Sequence, residues 1–347
     1  MKRIALFLSF CIILSKGTIY AQHPATDQNW NTIFHDNFTT LNNNLWRIKN
    51  NESHGYGTNE EPQIYKSENA YIVDGKLVLK TESSNTNEIL ICQLGNNCHY
   101  INNGGHKYTS AEIWSKTTYR YGYFEIYAKI PSGQGYWPAF WLYNQTPDSQ
   151  TTDCWYNEID IFEGNGYLTD SVTCNVHWNF NCPIGNINDI SIKIPTANYS
   201  QTYHWYGLEW NENEIKWYID RQRVRSIKNN MDGIGIQNPM YVIINSALFP
   251  QDWGCGTNPY NIVLPNYMYI DEANIYKLIC DKNTIINEIF DYNSYYYAVK
   301  KSITLSGSSS LSIGQNISLK ATDFIELNQG FEAPIGSQLF LETTPCE

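Results

Sequence analysis

The sequence predicts an all-β protein, a two-sheet sandwich followed by a small C-terminal β-repeat module, and three observations carry that expectation. From about Trp30 the chain reads as short apolar runs broken by Gly, Asn and Asp turns, with almost no helical periodicity. Phe124, Ile126, Ala128 and Ile130 alternate with Tyr123, Glu125, Tyr127 and Lys129, the period of a half-buried strand. Asp74-Gly75, set between two β-prone runs at 69–73 and 76–80, is a strong two-residue hairpin signal. A length of 347 residues allows one large β domain and a smaller one, and two packed sheets are the natural way to bury so many amphipathic strands. Aromatic residues make up 15% of the chain, with 27 Tyr and 11 Trp, a content that suits surfaces stacking on sugar rings and sandwich cores alike.

Residues 1–21 read as a secretory signal peptide. Met1-Lys2-Arg3 is a charged start, and the apolar run at 4–14 is too short to span a bilayer as a helix. Cleavage is expected after Ala21, and the mature protein is expected to be secreted or extracellular, possible cell-surface association included. Cys11 does not mark a lipidation site, because Phe10 before it is too large. No later segment is apolar enough to cross a membrane. The net charge of −11 becomes −14 once Lys2, Arg3 and Lys16 leave with the signal, which argues against nucleic acid as a partner. Nine cysteines become eight without Cys11, and an even number in an exported chain suggests disulfides. Cys92 with Cys98 and Cys174 with Cys182 would close short loops, leaving Cys154, Cys255, Cys280 and Cys346 for longer-range bonds. Spacing alone leaves the connectivity open and forms no convincing zinc cluster.

The sandwich is expected over residues 22–280, and the segment at 157–165 organises it. Asn157-Glu158-Ile159-Asp160-Ile161-Phe162-Glu163-Gly164-Asn165 lays three carboxylates along a short β-prone run. Side chains alternate in a strand, so Glu158 and Asp160 share one face while Ile159 and Ile161 enter the core. Glu163 has the wrong parity to join them unless one extra residue around Ile161 or Phe162 forms a β-bulge. With that bulge, three like charges crowd one face and at least one acid stays protonated. Such a set suits cleavage of a glycosidic bond, in which one carboxylate attacks the anomeric carbon and a protonated one serves the leaving oxygen. Retention is the expected outcome if the outer pair stands about 5 to 5.5 Å apart. The bland alternative is an acidic exposed strand, but acidic residues are poor strand formers. On the neighbouring run, Trp137 and Trp141 share a face with Ala139 between them, while Phe140 and Leu142 face the core.

The segment Glu158-Ile159-Asp160-Ile161-Phe162-Glu163 resembles the signature of glycoside hydrolase family 16 in its bulged, laminarinase-like form. The resemblance extends to Tyr108-Thr109-Ser110-Ala111-Glu112-Ile113, Gly122-Tyr123-Phe124-Glu125, Pro131-Ser132-Gly133-Gln134-Gly135, Trp137-Pro138-Ala139-Phe140-Trp141 and Tyr206-Gly207-Leu208-Glu209-Trp210, in the family's order. It implies a concanavalin-like jelly roll and a secreted, retaining endo-glycosidase acting on β-1,3-glucan or mixed β-1,3/1,4-glucan. Agarase, porphyranase or carrageenase type galactan hydrolysis is the alternative within the family, and a carbohydrate-binding protein without turnover the alternative of another class. The roles it implies are Glu158 as nucleophile, Glu163 as general acid and base, and Asp160 as the partner between them. It also implies sugar contacts from Trp137, Trp141, His177, Asn59 and Trp253, the last without the family's usual Gly-Gly before it. No cofactor is expected for catalysis, and a structural calcium on His35, Gly75 and Asp271 is the one metal the resemblance suggests. The expected partner is the polysaccharide alone, bound by a monomer.

Residues 281–347 form the expected C-terminal module. Trp disappears after Cys280, and Ile313-Gly314-Gln315-Asn316-Ile317-Ser318-Leu319 resembles Ile335-Gly336-Ser337-Gln338-Leu339-Phe340-Leu341. A repeat of that kind is expected of stacked β-turns in a small solenoid, with attachment, spacing or no active part as its role.

Overall fold

The computed structural model describes residues 23–24, 30–52, 61–84, 108–144, 156–179, 187–212, 214–229, 234–249, 262–280, 283–286, 294–296, 300–307 and 309–344. The expected signal peptide, Cys11, Cys92, Cys98, Cys154, Cys182, Cys255 and Cys346 lie outside them.

Two mainly antiparallel sheets face each other across one core. The first runs in the order Gln222–Lys228, Glu214–Ile219, His204–Trp210, Gly122–Lys129, Asn266–Leu278, Lys76–Ser83, Tyr108–Ser110, Gln63–Tyr65, with Trp30–Asp36 and Ala70–Val73 paired to its side. The second, which carries the site, runs Asn188–Asp189, Ser171–Asn179, Tyr156–Gly164, Tyr136–Tyr143, Tyr241–Leu248, Glu112–Ser115, Trp46–Ile48. Consecutive hairpins such as 204–210 with 214–219 and 156–164 with 171–179 alternate with long crossovers, among them 122–129 beside 266–278 and 136–143 beside 241–248. Phe124, Ile126 and Ala128 from one sheet and Phe140, Leu142, Ile159, Ile161 and Phe162 from the other share the core. Asp74 and Gly75 both take positive φ, at 49° and 69°, and Val73 pairs with Lys76. That is the backbone a two-residue hairpin turn demands, and Gly supplies it without a Cβ penalty.

The alternation at 123–130 holds, but its outward face is not open to water. Glu125 is buried, capped by His23 Nε2 at 2.8 Å and by Arg221 Nη2 at 3.1 Å. The disulfide expected between Cys174 and Cys182 is not formed. Cys174 is a free, buried thiol that shares the core face of its strand with Val172 and Val176, and its Sγ–H donates to Ile161 O at 3.2 Å. Cys280 is disulfide-bonded, to a partner outside the described residues.

The third sheet is parallel and has a core of its own around Ile303, Leu305, Ile317, Leu319 and Ala321. Ser294 pairs with Asn316, Ser302 with Phe324 and Asn316 with Gln338, an offset of 22 residues each time. This is the stacked-coil arrangement expected of the repeat. Among the described residues no helix is long and apolar enough to cross a membrane.

Candidate active site

The Tyr156–Gly164 strand contains the expected bulge. Asp160 pairs with Trp141 and Phe162 with Phe140, so Ile161 is the extra residue; on the other side Asp160 pairs with Asn175 and Glu163 with Thr173. Ile161 and Phe162 are consequently both buried in the core, and Glu163 returns to the face of Glu158 and Asp160. A bulge takes carbonyls out of the ladder, and they must find other donors. Trp217, reaching across from the first sheet, donates its indole N–H to Asp160 O at 2.9 Å, and Cys174 serves Ile161 O. The kink is therefore held from beneath by the core.

Around the three acids the structure gathers a compact set of groups. Trp137 Nε1 donates to Glu163 Oε1 at 2.9 Å. Burial, then the charges of Asp160 and Glu158, hold Glu163 well above the usual carboxylate range, against that hydrogen bond. Tyr156 O–H donates to Glu158 Oε2. His177 Nε2 stands 3.4 Å from Asp160 Oδ2 and 3.8 Å from Glu158 Oε1. Burial pulls the imidazolium of His177 down, but Asp160 and Glu158 outweigh it and raise the group to about 9. Asp160 Oδ2 is buried without a hydrogen-bond partner, and the nearest positive charge to it is the His177 ring.

Asn175 orients the histidine. Its Oδ1 accepts from Val176 N at 2.8 Å and Ile190 N at 3.1 Å, which turns Nδ2 to within 2.9 Å of His177 Nε2. Glu158, Asp160 and His177 place ligand-type atoms within 4.8 Å of one another. With its pKa raised to about 9, the His177 ring keeps its proton near neutrality and offers no nitrogen lone pair, so the cluster suits charge pairing rather than metal ligation.

The two indoles lie on the same face of the Tyr136–Tyr143 strand and are both half-exposed. Trp137 stacks on Phe249, with centroids 4.9 Å apart and planes 7° from parallel. Trp141 donates to Asn245 Oδ1 at 3.1 Å; Asn245 Nδ2 donates to Tyr65 OH at 3.0 Å, and Tyr65 donates to Glu61 Oε2 at 2.9 Å. Gln63 joins the same chain and accepts from Leu248 N. A buried polar series thus fixes the Trp141 plane. Sequence reasoning missed it, along with Tyr156, Asn175 and the fully buried Glu112, which Lys49 and Trp114 neutralise and bond. Parity would have flagged Tyr156, two residues before Glu158. Asn175 and Glu112 likewise stand two residues from His177 and Trp114, whereas the links of Asn245 to Trp141 and Tyr65 come from cross-strand register, which no local spacing shows.

The structure brings together Glu158, Asp160, Glu163, His177, Trp137 and Trp141. Asn59 and Trp253 lie outside the described residues. His35, Gly75 and Asp271 stand apart from the acids, on the first sheet and its hairpin turn. Asp271 Oδ1 is 2.6 Å from Lys76 Nζ, and His35 Nδ1 is 2.7 Å from Asn274 Oδ1. The Lys76 ammonium already supplies the positive charge at the one carboxylate of the set, so as arranged these residues do not fit a calcium ion.

Residues 58–258 match the family described as glycosyl hydrolases family 16. The glucan endo-1,3-beta-glucosidase A1 of Niallia circulans is 28% identical over 271 residues, 71% of this chain and 38% of that protein. The chain therefore spans well under two thirds of that relative's length. The beta-glucanase of Rhodothermus marinus is 30% identical over 244 residues, 65% of this chain and 77% of the relative. The laminarinase catalytic domain from Thermotoga maritima MSB8 superposes with a TM-score of 0.58 at 25% identity, covering 73% of this chain and all of that domain.

Proposed function

Because the chain belongs to glycosyl hydrolases family 16, we propose that it cleaves β-1,3-glucan or mixed β-1,3/1,4-glucan internally, with retention at the anomeric carbon, and that it does so outside the cell. The bulge that brings Glu163 onto the face of Glu158 and Asp160 is the observation that carries the reading, and burial with two neighbouring acids pushes the Glu163 carboxyl upward, as a proton donor requires. Glu158 Oε1 attacks the anomeric carbon while Glu163 gives its proton to the departing oxygen. Glycosylation of Glu158 removes its negative charge, one of the causes that hold Glu163 high, so Glu163 becomes the better base just when a water must be deprotonated. His177 holds a positive charge beside Asp160 and Glu158, and Trp137 and Trp141 offer indole faces to pyranose rings. The charged start and apolar run of residues 1–14 support export.

The test is incubation with laminarin, mixed-linkage glucan, agarose and carrageenan, with NMR of the products and their anomeric form. The expected result is oligosaccharides from the two glucans with the β configuration first. Products from agarose or carrageenan alone would move the chain to the galactan-cleaving reading. Binding of glucan without reducing ends would make it a binding protein. Glu158→Gln should lose turnover by at least about 10³-fold with an unchanged melting temperature; a fully active variant removes the nucleophile assignment.

A further inference from the structure

Tyr156 has no part in the roles assigned above, yet its hydroxyl donates to the carboxylate that attacks. Its position is built rather than incidental. Tyr156, Glu158 and Asp160 lie at i, i+2 and i+4 of one strand, so the phenol projects on the same face as the acids. Tyr143, paired directly with Glu158 on the next strand, packs edge-on against the Tyr156 ring at 5.5 Å between centroids. The ring is thereby held and the O–H has one partner to aim at, Oε2. The other oxygen, Oε1, faces His177 at 3.8 Å.

We propose that Tyr156 is a positioning residue that sets which oxygen of Glu158 attacks and that assists the second half of the reaction by stabilising the departing carboxylate. This rests on the retaining reading above. In the first step a lone pair of Oε1 forms the bond to the anomeric carbon, the glycosidic bond breaks, and its electron pair takes the proton of Glu163. Oε2 becomes the ester carbonyl and still accepts from Tyr156. In the second step water attacks the anomeric carbon and Glu163 takes its proton; the carbon–Oε1 bond breaks and the electron pair returns to the carboxylate. A carboxylate accepts a hydrogen bond more strongly than an ester carbonyl does. The Tyr156 bond therefore strengthens as the second step proceeds and weakens during the first. Burial, the Glu158 charge and donation to Glu158 all hold the phenol well above its usual pKa of 10, so it remains a donor across the working pH range.

The test compares wild type with Tyr156→Phe, which removes one oxygen, using an activated aryl β-glucan oligosaccharide whose glycosylation step is fast. Wild type is first checked for retention by NMR; inversion there overturns both this proposal and the reading on which it rests. With retention established, the variant is expected to lose kcat about tenfold and to show KM falling in parallel, the size of effect of one charge-assisted hydrogen bond. Mass spectrometry should show the glycosyl-enzyme accumulating. The acidic limb of the kcat/KM profile should move to higher pH by about one unit while the alkaline limb stays in place. A variant that keeps the wild-type acidic limb, or loses kcat with no accumulated intermediate, overturns the role of Tyr156 and leaves the retaining reading intact. The melting temperature of each protein is measured beside the kinetics, and a purely structural role would move it without moving the limb.

Discussion

Glu163 and His177 show how the same few ångströms store opposite protonation preferences. Glu163 sits well above the usual carboxylate range, so ionising it costs folding free energy. Its stabilising contribution is full below the pKa it has when unfolded and is lost as pH rises through its folded value. Glu163→Gln should therefore gain melting temperature relative to wild type progressively as pH rises, with no gain in acid. Equal curves for the two proteins across pH would contradict that sign. His177 moves from an ordinary 6.5 to about 9 because the acids hold its proton. Its contribution, on the order of 3 kcal/mol, is present below pH 6.5 and should fade between 6.5 and about 9, and His177→Gln should flatten denaturation midpoints across that window. The position of Glu163 was legible as parity plus one bulge, and that of His177 from the family resemblance. The free Cys174 was equally legible, since parity sets it with Val172 and Val176, and pairing by loop length ignored that parity. Tyr156 was within reach of the same rule, whereas Asn175 acts through a neighbour two positions on and two backbone donors, one of them at Ile190.

The bulged strand is the element on which the site depends, and a sandwich core is what keeps it kinked. Trp217 lies 57 residues away in sequence and on the other sheet, yet satisfies the carbonyl that the bulge displaces. Trp217→Phe removes the donor to Asp160 O and shrinks a fully buried side chain, at a cost of about 2 kcal/mol or more. The expected outcome is a lower urea midpoint together with a loss of kcat, because the three acids lose their common face. A stability loss with kcat unchanged would mean that the kink persists without its anchor. The hairpin at Asp74-Gly75 delivers Lys76 to Asp271 on the adjacent long strand. Thermal unfolding should consequently be the same in chelator and in millimolar calcium. A drop in melting temperature on chelation would restore the divalent ion to that corner. The hairpin itself was legible from two residues; its electrostatic use was not, since the partner comes from a strand almost two hundred positions later.

At the scale of the molecule, the two-sheet sandwich contains the acids, the indoles and their supports, while the parallel sheet encloses a core of its own. Removing residues 283–347 should leave kcat/KM on soluble glucan within about twofold of the full chain, as measured by reducing-sugar release; a collapse of activity would show that the sandwich needs the coils. The all-β class and the repeat were readable because strand periodicity and a fixed residue spacing are local signals. Strand order was not, because it depends on which distant edges meet. Most rungs of the coils are set by the same count of 22 residues, from Ser294 with Asn316 through Ser302 with Phe324 to Asn316 with Gln338, so duplicating that count between 316 and 338 repeats a pairing the sheet already makes. The coils can gain a step like a ladder, about 4.8 Å at a time, provided that Lys320, which pairs with Glu212 of the sandwich, keeps its place.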